Sequence, residues 1–168
     1  MFVQNEVDAY YEEIDNLATF LLEFRYGLPN HAHILHDAGY VSALSKFLLH
    51  ETGIIPKEQF ITDNTPQRFH QRICQDIAST SAKREIPVYF NPDAGEAQAI
   101  IRELSHSGRG LIIGSGWDKE LAREKGYDFL SASLPTPYRL VMTTNYAGFT
   151  GGLHVIEDIY NTALGTYK

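Results

Sequence analysis

Apolar positions along this chain follow two alternating rhythms. Over residues 6–26, Ile14, Leu17, Leu21 and Phe24 stand 3, 4 and 3 apart, a single apolar stripe on a helix, which Tyr-Gly-Leu-Pro-Asn at 26–30 breaks. From there, short apolar runs alternate with amphipathic stretches. The runs at 32–37, 58–63, 86–91, 110–115 and 127–134 predict five strands. The stretches at 39–53, 64–80, 92–108, 117–126 and 151–168 predict helices. Their inward faces carry Val41, Leu44, Phe47 and Leu48, then Phe69, Ile73 and Ile77, then Ala97, Ile100, Ile101 and Leu104. In the final helix the inward face is Leu153, Ile156, Ile159 and Tyr160.

Punctuation residues fall where such helices should start and stop. Gly53, Gly108 and Gly126 suit helix ends. Thr65 with Pro66 suits a start, and Asp93 with Glu96 has capping-box spacing. Strands alternating with single helices imply right-handed βαβ units. The expected fold is α/β: a doubly wound, mainly parallel sheet, Rossmann-like or flavodoxin-like, with an extra N-terminal helix. The expected division is a helical extension over 1–29 and the Rossmann-like domain over 30–168. Ligands of such sheets lie beyond the C-terminal ends of the strands. The loops of interest are therefore 37–40, 63–66, 91–95, 114–118 and 134–148.

The loop Gly114-Ser115-Gly116-Trp117-Asp118 joins a strand to a helix, where many α/β proteins hold a phosphate. It lacks the third glycine of a dinucleotide fingerprint and the Gly-Lys-Ser/Thr of a P-loop. Ser115 and Asp118 instead stand in capping-box spacing, and the Asp118 charge would repel an anion. Asp37, Asp63 and Asp93 each close a strand, where they suit capping more than magnesium binding. Alternation puts His31 and His33 on one strand face and His36 on the other, so the three do not converge, and no metal site is expected. The stretch 141–152, "VMTTNYAGFTGG", mixes glycine with Tyr146 and Phe149, which suits either packing or a contact surface.

Composition narrows the function. The 168 residues carry a net charge of −7, against nonspecific nucleic-acid binding. No apolar run is long enough to span a membrane, and the acidic start "MFVQNEVDAYYEEID" lacks signal-peptide character, so a cytoplasmic location is expected. The one cysteine, Cys74, excludes a disulfide within the chain and cannot supply the several thiolates of an iron–sulfur site. It reads as an inert helix thiol.

Three segments, in order, resemble the nitrogenase component 1 family. "HILHDAGYVSALSKFLLHETG" is similar to that family's strand, Gly/Asp turn and following helix. "FNPDAGEAQAIIRELSHSGRGLIIGSGWDKELAREKGYDFLSASLP" is similar to its acidic helix, Gly-Ser-Gly loop, short helix and proline-ended strand. "TTNYAGFTGGLHVIEDIYN" is similar to its Thr-Thr-x-x-Gly-Tyr-x-Gly turn and last helix. The family includes the molybdenum–iron protein chains, cofactor-assembly scaffold relatives and the dark-operative protochlorophyllide and chlorin reductases. The likeness is strongest to beta-type chains and covers about residues 30–168.

The resemblance implies the C-terminal Rossmann-like domain of an oxidoreductase subunit. Such a domain would supply scaffold and subunit interface and would not be catalytic alone. Partners would be other domains or subunits of a component 1-like complex, including a homodimer, with no nucleic acid or membrane. It also implies that Gly114, Ser115, Gly116, Asp118, Lys119, Thr144, Tyr146 and Gly148 stand where relatives face a cofactor or an interface. Alpha-type relatives carry a metal-ligating histidine near Tyr-x-Gly, whereas Asn145-Tyr146-Ala147-Gly148 has none. They also carry a lysine after Gly-Ser-Gly-x, whereas Asp118 stands here with Lys119 one later. No cofactor is thus expected in this chain, with an iron–sulfur or metal cluster expected only in a full-length assembly. Two other readings remain open. One is a free-standing flavodoxin-like small-molecule module using loops 114–118 and 143–151. The other is a magnesium-dependent hydrolase using Asp37 and Asp63.

Overall fold

The central strands form because their residues can be buried on both sides. Ala32, Ile34 and Leu35, and Leu111, Ile112 and Ile113, are all almost completely shielded from solvent. Continuous apolar runs of this kind belong at the middle of a parallel sheet. The structure, a computed structural model, describes residues 5, 7–13, 15–16, 28–81, 85–90, 93–138 and 144–165. It divides into two compact units, Pro29–Leu140, and Met1–Leu28 together with Val141–Lys168.

In the larger unit the order is β1 His31–His36, α1 Ala38–Phe47, β2 Ile55–Pro56, β3 Gln59–Ile61, α2 His70–Ala78, β4 Val88–Phe90, α3 Ala94–Glu103, β5 Gly110–Gly114, α4 Lys119–Lys125 and β6 Asp128–Ser131. The sheet order is β4-β3-β1-β5-β6, with β2 also on β1, and every pairing is parallel. This is the doubly wound arrangement that the alternation of strands and helices predicts. The right-handed crossover rule puts α1 and α2 on one face and α3 and α4 on the other. Accordingly Leu35, Phe60 and Ile112 pack with Ala97 and Ile101 of α3 and Leu121 and Ala122 of α4. Val41 and Leu44 of α1 are buried, and α1 packs on β1, β3 and α2.

β2 and β3 act as one interrupted strand. His31 and Ala32 pair with Ile55 and Pro56, whereas Leu35 and His36 pair with Phe60 and Ile61. Between the two pairings the ladder breaks at Glu58, after the Lys57 amide has donated to the Ala32 carbonyl at 3.0 Å. The buried Gln59 side chain patches the break, its Nε2 donating to the Ala32 carbonyl at 3.1 Å and the Lys57 carbonyl at 2.9 Å.

Some local expectations shift. Thr65 does not cap a helix. Pro66 leads into a 3-10 turn over Gln67–Phe69, and α2 begins only at His70. That later start rotates Phe69 off the inward face, and it is exposed, with the Arg68 guanidinium 4.8 Å from its ring centre. α1 runs into a π-helical turn, Leu48–Thr52, before Gly53 ends it in the left-handed conformation.

In the smaller unit, the described residues between 5 and 16 are helical, and α5 spans Gly148–Gly165. The Tyr10 and Phe149 rings lie 5.2 Å apart. Val155, Ile156, Ile159 and Ala163 are buried. Ile14, Leu17, Leu21 and Phe24, the expected stripe of the first helix, lie outside the described residues. Among the described residues, no helix is long and apolar enough to cross a membrane.

Candidate functional site

Where a parallel sheet reverses its winding, the chain leaves neighbouring strands in opposite directions and a crevice opens at their C-terminal ends. Here that point lies between β1, followed toward β3, and β5, followed toward β6. A cleft of about 500 Å³ occupies it. His36, Asp37 and Tyr40 line one side, Thr62 and Asp63 a second, and Ser115, Trp117 and Asp118 a third, with Ser133 and Leu134 across the mouth. The expected loops 37–40, 63–66, 91–95, 114–118 and 134–148 each contribute at least one wall residue. Tyr40, Thr62 and Ser133 had no sequence signal of their own. Their place is set by the order of strands.

The Gly-Ser-Gly loop is held from within. Ser115 caps the turn, and its capping box with Asp118 is formed. The Ser115 amide donates to Asp118 Oδ2 at 2.8 Å and its hydroxyl donates to the same oxygen at 2.9 Å. Gln98 Nε2 from α3 donates to Asp118 Oδ1 at 2.8 Å. The Gly116 amide donates to the Pro135 carbonyl, the Trp117 amide to Ser115 Oγ, and the Asp118 amide to the Ser115 carbonyl. All four amides of residues 115–118 are thus spent inside the chain. A phosphate cradle needs such amides free, so this loop does not have the donor set for one. Gly116 is required by close approach, because a Cβ there would lie 2.4 Å from Pro137 Cδ.

Of the other strand-end carboxylates Asp37 and Asp93 cap a helix, whereas Asp63 does not, because the turn after it has Pro66 at its cap and no side-chain cap bond. Asp37 Oδ1 accepts from the Tyr40 amide at 3.0 Å, and Asp93 Oδ1 accepts from the Gly95 amide at 2.7 Å. His36 Nδ1 lies 2.8 Å from Asp37 Oδ2, and its ring stacks on Tyr40 with centroids 4.3 Å apart. Asp63 accepts from the Thr65 hydroxyl. None of these aspartates belongs to a potential metal-ligand group among the described residues. The half-buried Cys74 on α2 is the chain's one thiol, and the donor set therefore does not fit an iron–sulfur cluster.

Gly114, Ser115, Gly116, Asp118 and Lys119 come together at the crevice edge, with Lys119 Nζ 3.8 Å from the Tyr138 ring centre. Thr144, Tyr146 and Gly148 belong to the smaller unit. There Tyr146 Oη donates to Asp158 Oδ2 at 2.6 Å and Gly148 begins α5 with φ of 70°. At the crevice two large apolar side chains are exposed, Trp117 at 68% and Leu134 at 85%, beside the exposed carboxylate of Asp63.

A family model described as nitrogenase component 1 type oxidoreductase matches residues 6–164. Among solved structures, "Nitrogenase Cp1 at pH 6.5" superimposes with a TM-score of 0.72 at 22% identity, covering 95% of this chain and 34% of that one. The chain thus spans about a third of that protein's length, and the likeness is one of fold. No curated protein matches.

Proposed function

This chain belongs to the nitrogenase component 1 type oxidoreductase family, and on that premise we propose that it serves as a C-terminal, beta-chain-like Rossmann domain, residues 30–168, with 1–29 as a helical extension. Its role is scaffold and subunit interface in a cytoplasmic complex with component 1-like partners, a second copy of itself included. It does not catalyse alone. The iron–sulfur or metal cluster of such an assembly is held by other chain segments.

The observation that carries this reading is the exposed pair Trp117 and Leu134 at the crevice. Both side chains line one cleft, and apolar side chains gathered at one place on a surface mark contact surfaces where lone ones do not. The loop beneath them has its amides and its Asp118 carboxylate already bonded, so it presents a rigid edge and not a set of ligand donors.

Trp117 is the chain's only tryptophan, so its fluorescence reports on this surface alone. Titration with a co-expressed component 1-type partner chain is expected to shift its emission to the blue and shield it from acrylamide. Leu134→Asp is expected to weaken that assembly. A Trp117 that stays open to quencher in the assembled complex overturns the interface reading. Reconstitution of the chain alone with iron and sulfide is a second arm. A stoichiometric cluster there would sink the scaffold-only role.

One observation favours the small-molecule module instead. The cleft of about 500 Å³ lies at the sheet's switch point, with Tyr40, Thr62 and Ser133 offering polar groups. A thermal-shift screen with nucleotides, flavins and small anions separates the two. Stabilisation by one of them, abolished in Tyr40→Phe with Thr62→Val, would favour the module.

A further inference from the structure

At the end of the sheet opposite the crevice, three segments distant in sequence converge. His33 comes from β1, Glu58 from the link between β2 and β3, and His106 from the segment between α3 and β5. One ligating atom from each lies within 4.8 Å of the other two. Glu58 Oε2 is 2.9 Å from His106 Nε2 and 3.6 Å from His33 Nδ1. His31 shares the strand face of His33, as alternation requires. Its ring centre is 5.2 Å from that of His106 and 5.7 Å from that of His33.

We propose that His33, Glu58 and His106 bind a divalent transition-metal ion of the zinc type, with His31 as the adjoining imidazole. The sequence alone argues against a histidine metal site, because of its seven histidines only the three of one strand stand close together, and they do not converge. The fold replaces His36, which lies at the crevice, with Glu58 and His106.

The donor set fits that class of ion. Two imidazoles and a carboxylate suit zinc and its neighbours, whereas magnesium and calcium take oxygen ligands. His33 Nδ1, the nitrogen 3.6 Å from Glu58 Oε2, also lies 3.1 Å from the Glu58 carbonyl. In one tautomer it donates to that carbonyl, and in the other its lone pair is open to an ion beside the carboxylate. His33 Nε2 is buried and, among the described residues, has no hydrogen-bond partner. His31 Nε2 in the same cluster is likewise buried and unpartnered among the described residues. A hydrogen-bonded His106–Glu58 pair explains half of the group. It gives no account of two buried imidazole nitrogens that nothing satisfies, each a cost to the fold.

The ion would pin β1, the strand interruption and the approach to β5 to one another.

The test uses the full chain, stripped with chelator and dialysed against zinc. About one equivalent should bind, and Glu58→Gln and His106→Ala should each weaken binding by at least about tenfold. His50→Ala, which removes an exposed imidazole elsewhere, should leave it unchanged. Circular dichroism checks that the variants fold. If they do not, Co²⁺ added to the unaltered chain decides. It should shift the ring resonances of His33 and His106 and leave those of His50 and His154 in place. Sub-stoichiometric binding, binding unmoved in folded Glu58→Gln and His106→Ala, or Co²⁺ shifts on the other histidines would overturn the proposal.

Discussion

Gln98 of α3 donates from Nε2 to Asp118 Oδ1 at 2.8 Å, so a residue of one helix completes the cap of the next. Asp118 is almost wholly buried, and its other oxygen takes the Ser115 amide and hydroxyl. Asp118→Ala removes an acceptor from three donors at once. The expected loss is about 2–3 kcal/mol, because donors left without a partner in a buried site cost more than the bonds gained. Asp118→Asn should cost less, since one oxygen remains. Urea unfolding of Asp118→Ala, Gln98→Ala and the double variant should give a coupling of about 1 kcal/mol between the two residues. Additive losses would show that the bond adds nothing to the cap.

Phe60 fills the centre of a strand only three residues long. It is fully buried, and its ring stacks on Tyr89 at 5.1 Å and 13°. Phe60→Ala should cost about 3–5 kcal/mol, the range for a large aromatic lost from a core that cannot collapse. Phe60→Leu should cost markedly less. Equal losses in the two variants would mean that the ring stack, not the buried volume, carries the stability.

Asp76 gives a dependence on pH. Hydrogen bonds from Lys46 and Ser42 hold its carboxyl below the ordinary carboxylate range, joining α2 to α1. The folded value lies below the unfolded one, so the stabilisation is present above the unfolded pKa of about 3.9 and is lost as pH falls through the folded value. The pair is nearly half exposed, so solvent screening limits it to about 0.5 kcal/mol. Asp76→Asn should therefore be slightly less stable than the parent at neutral pH, with the gap closing in acid. Parallel urea titrations at both pH values measure it, and a gap that widens in acid contradicts the sign.

What could be read from the chain beforehand was local. The apolar runs at Ile34–Leu35 and Leu111–Ile113 announce buried parallel strands whatever surrounds them. Ser115 and Asp118 announce their cap because they stand three positions apart. β2 carries no strand signal, because it is two residues long and one is Pro56, a residue that argues against a strand. Phe69 stands off the face that helical spacing predicts, because spacing counts positions but not the 3-10 turn that delays α2. Glu58 and His106 are 48 residues apart, and only the sheet order brings them within hydrogen-bond reach. The same holds for Tyr40 and Thr62 at the crevice. Site residues of that kind carry no spacing signature, since their proximity is a property of the fold.

The glycines of α5 do different work, and one helix offers both the test and its control. Gly151 lies in the first turn of α5, buried against the backbone of Tyr146, where a Cβ would stand 2.5 Å from the Tyr146 carbonyl carbon. Backbone cannot swing aside as a side-chain tip can. The Tyr146 segment is further tied down through its hydroxyl to Asp158 on the same helix. Gly151→Ala should therefore cost about 1–3 kcal/mol despite alanine's better helix propensity. Gly165, the last residue of α5, has open space where its Cβ would go. Gly165→Ala should be neutral or slightly stabilising. If both substitutions stabilise to the same degree, propensity governs this helix, and the contact between Gly151 and the Tyr146 backbone is not a constraint.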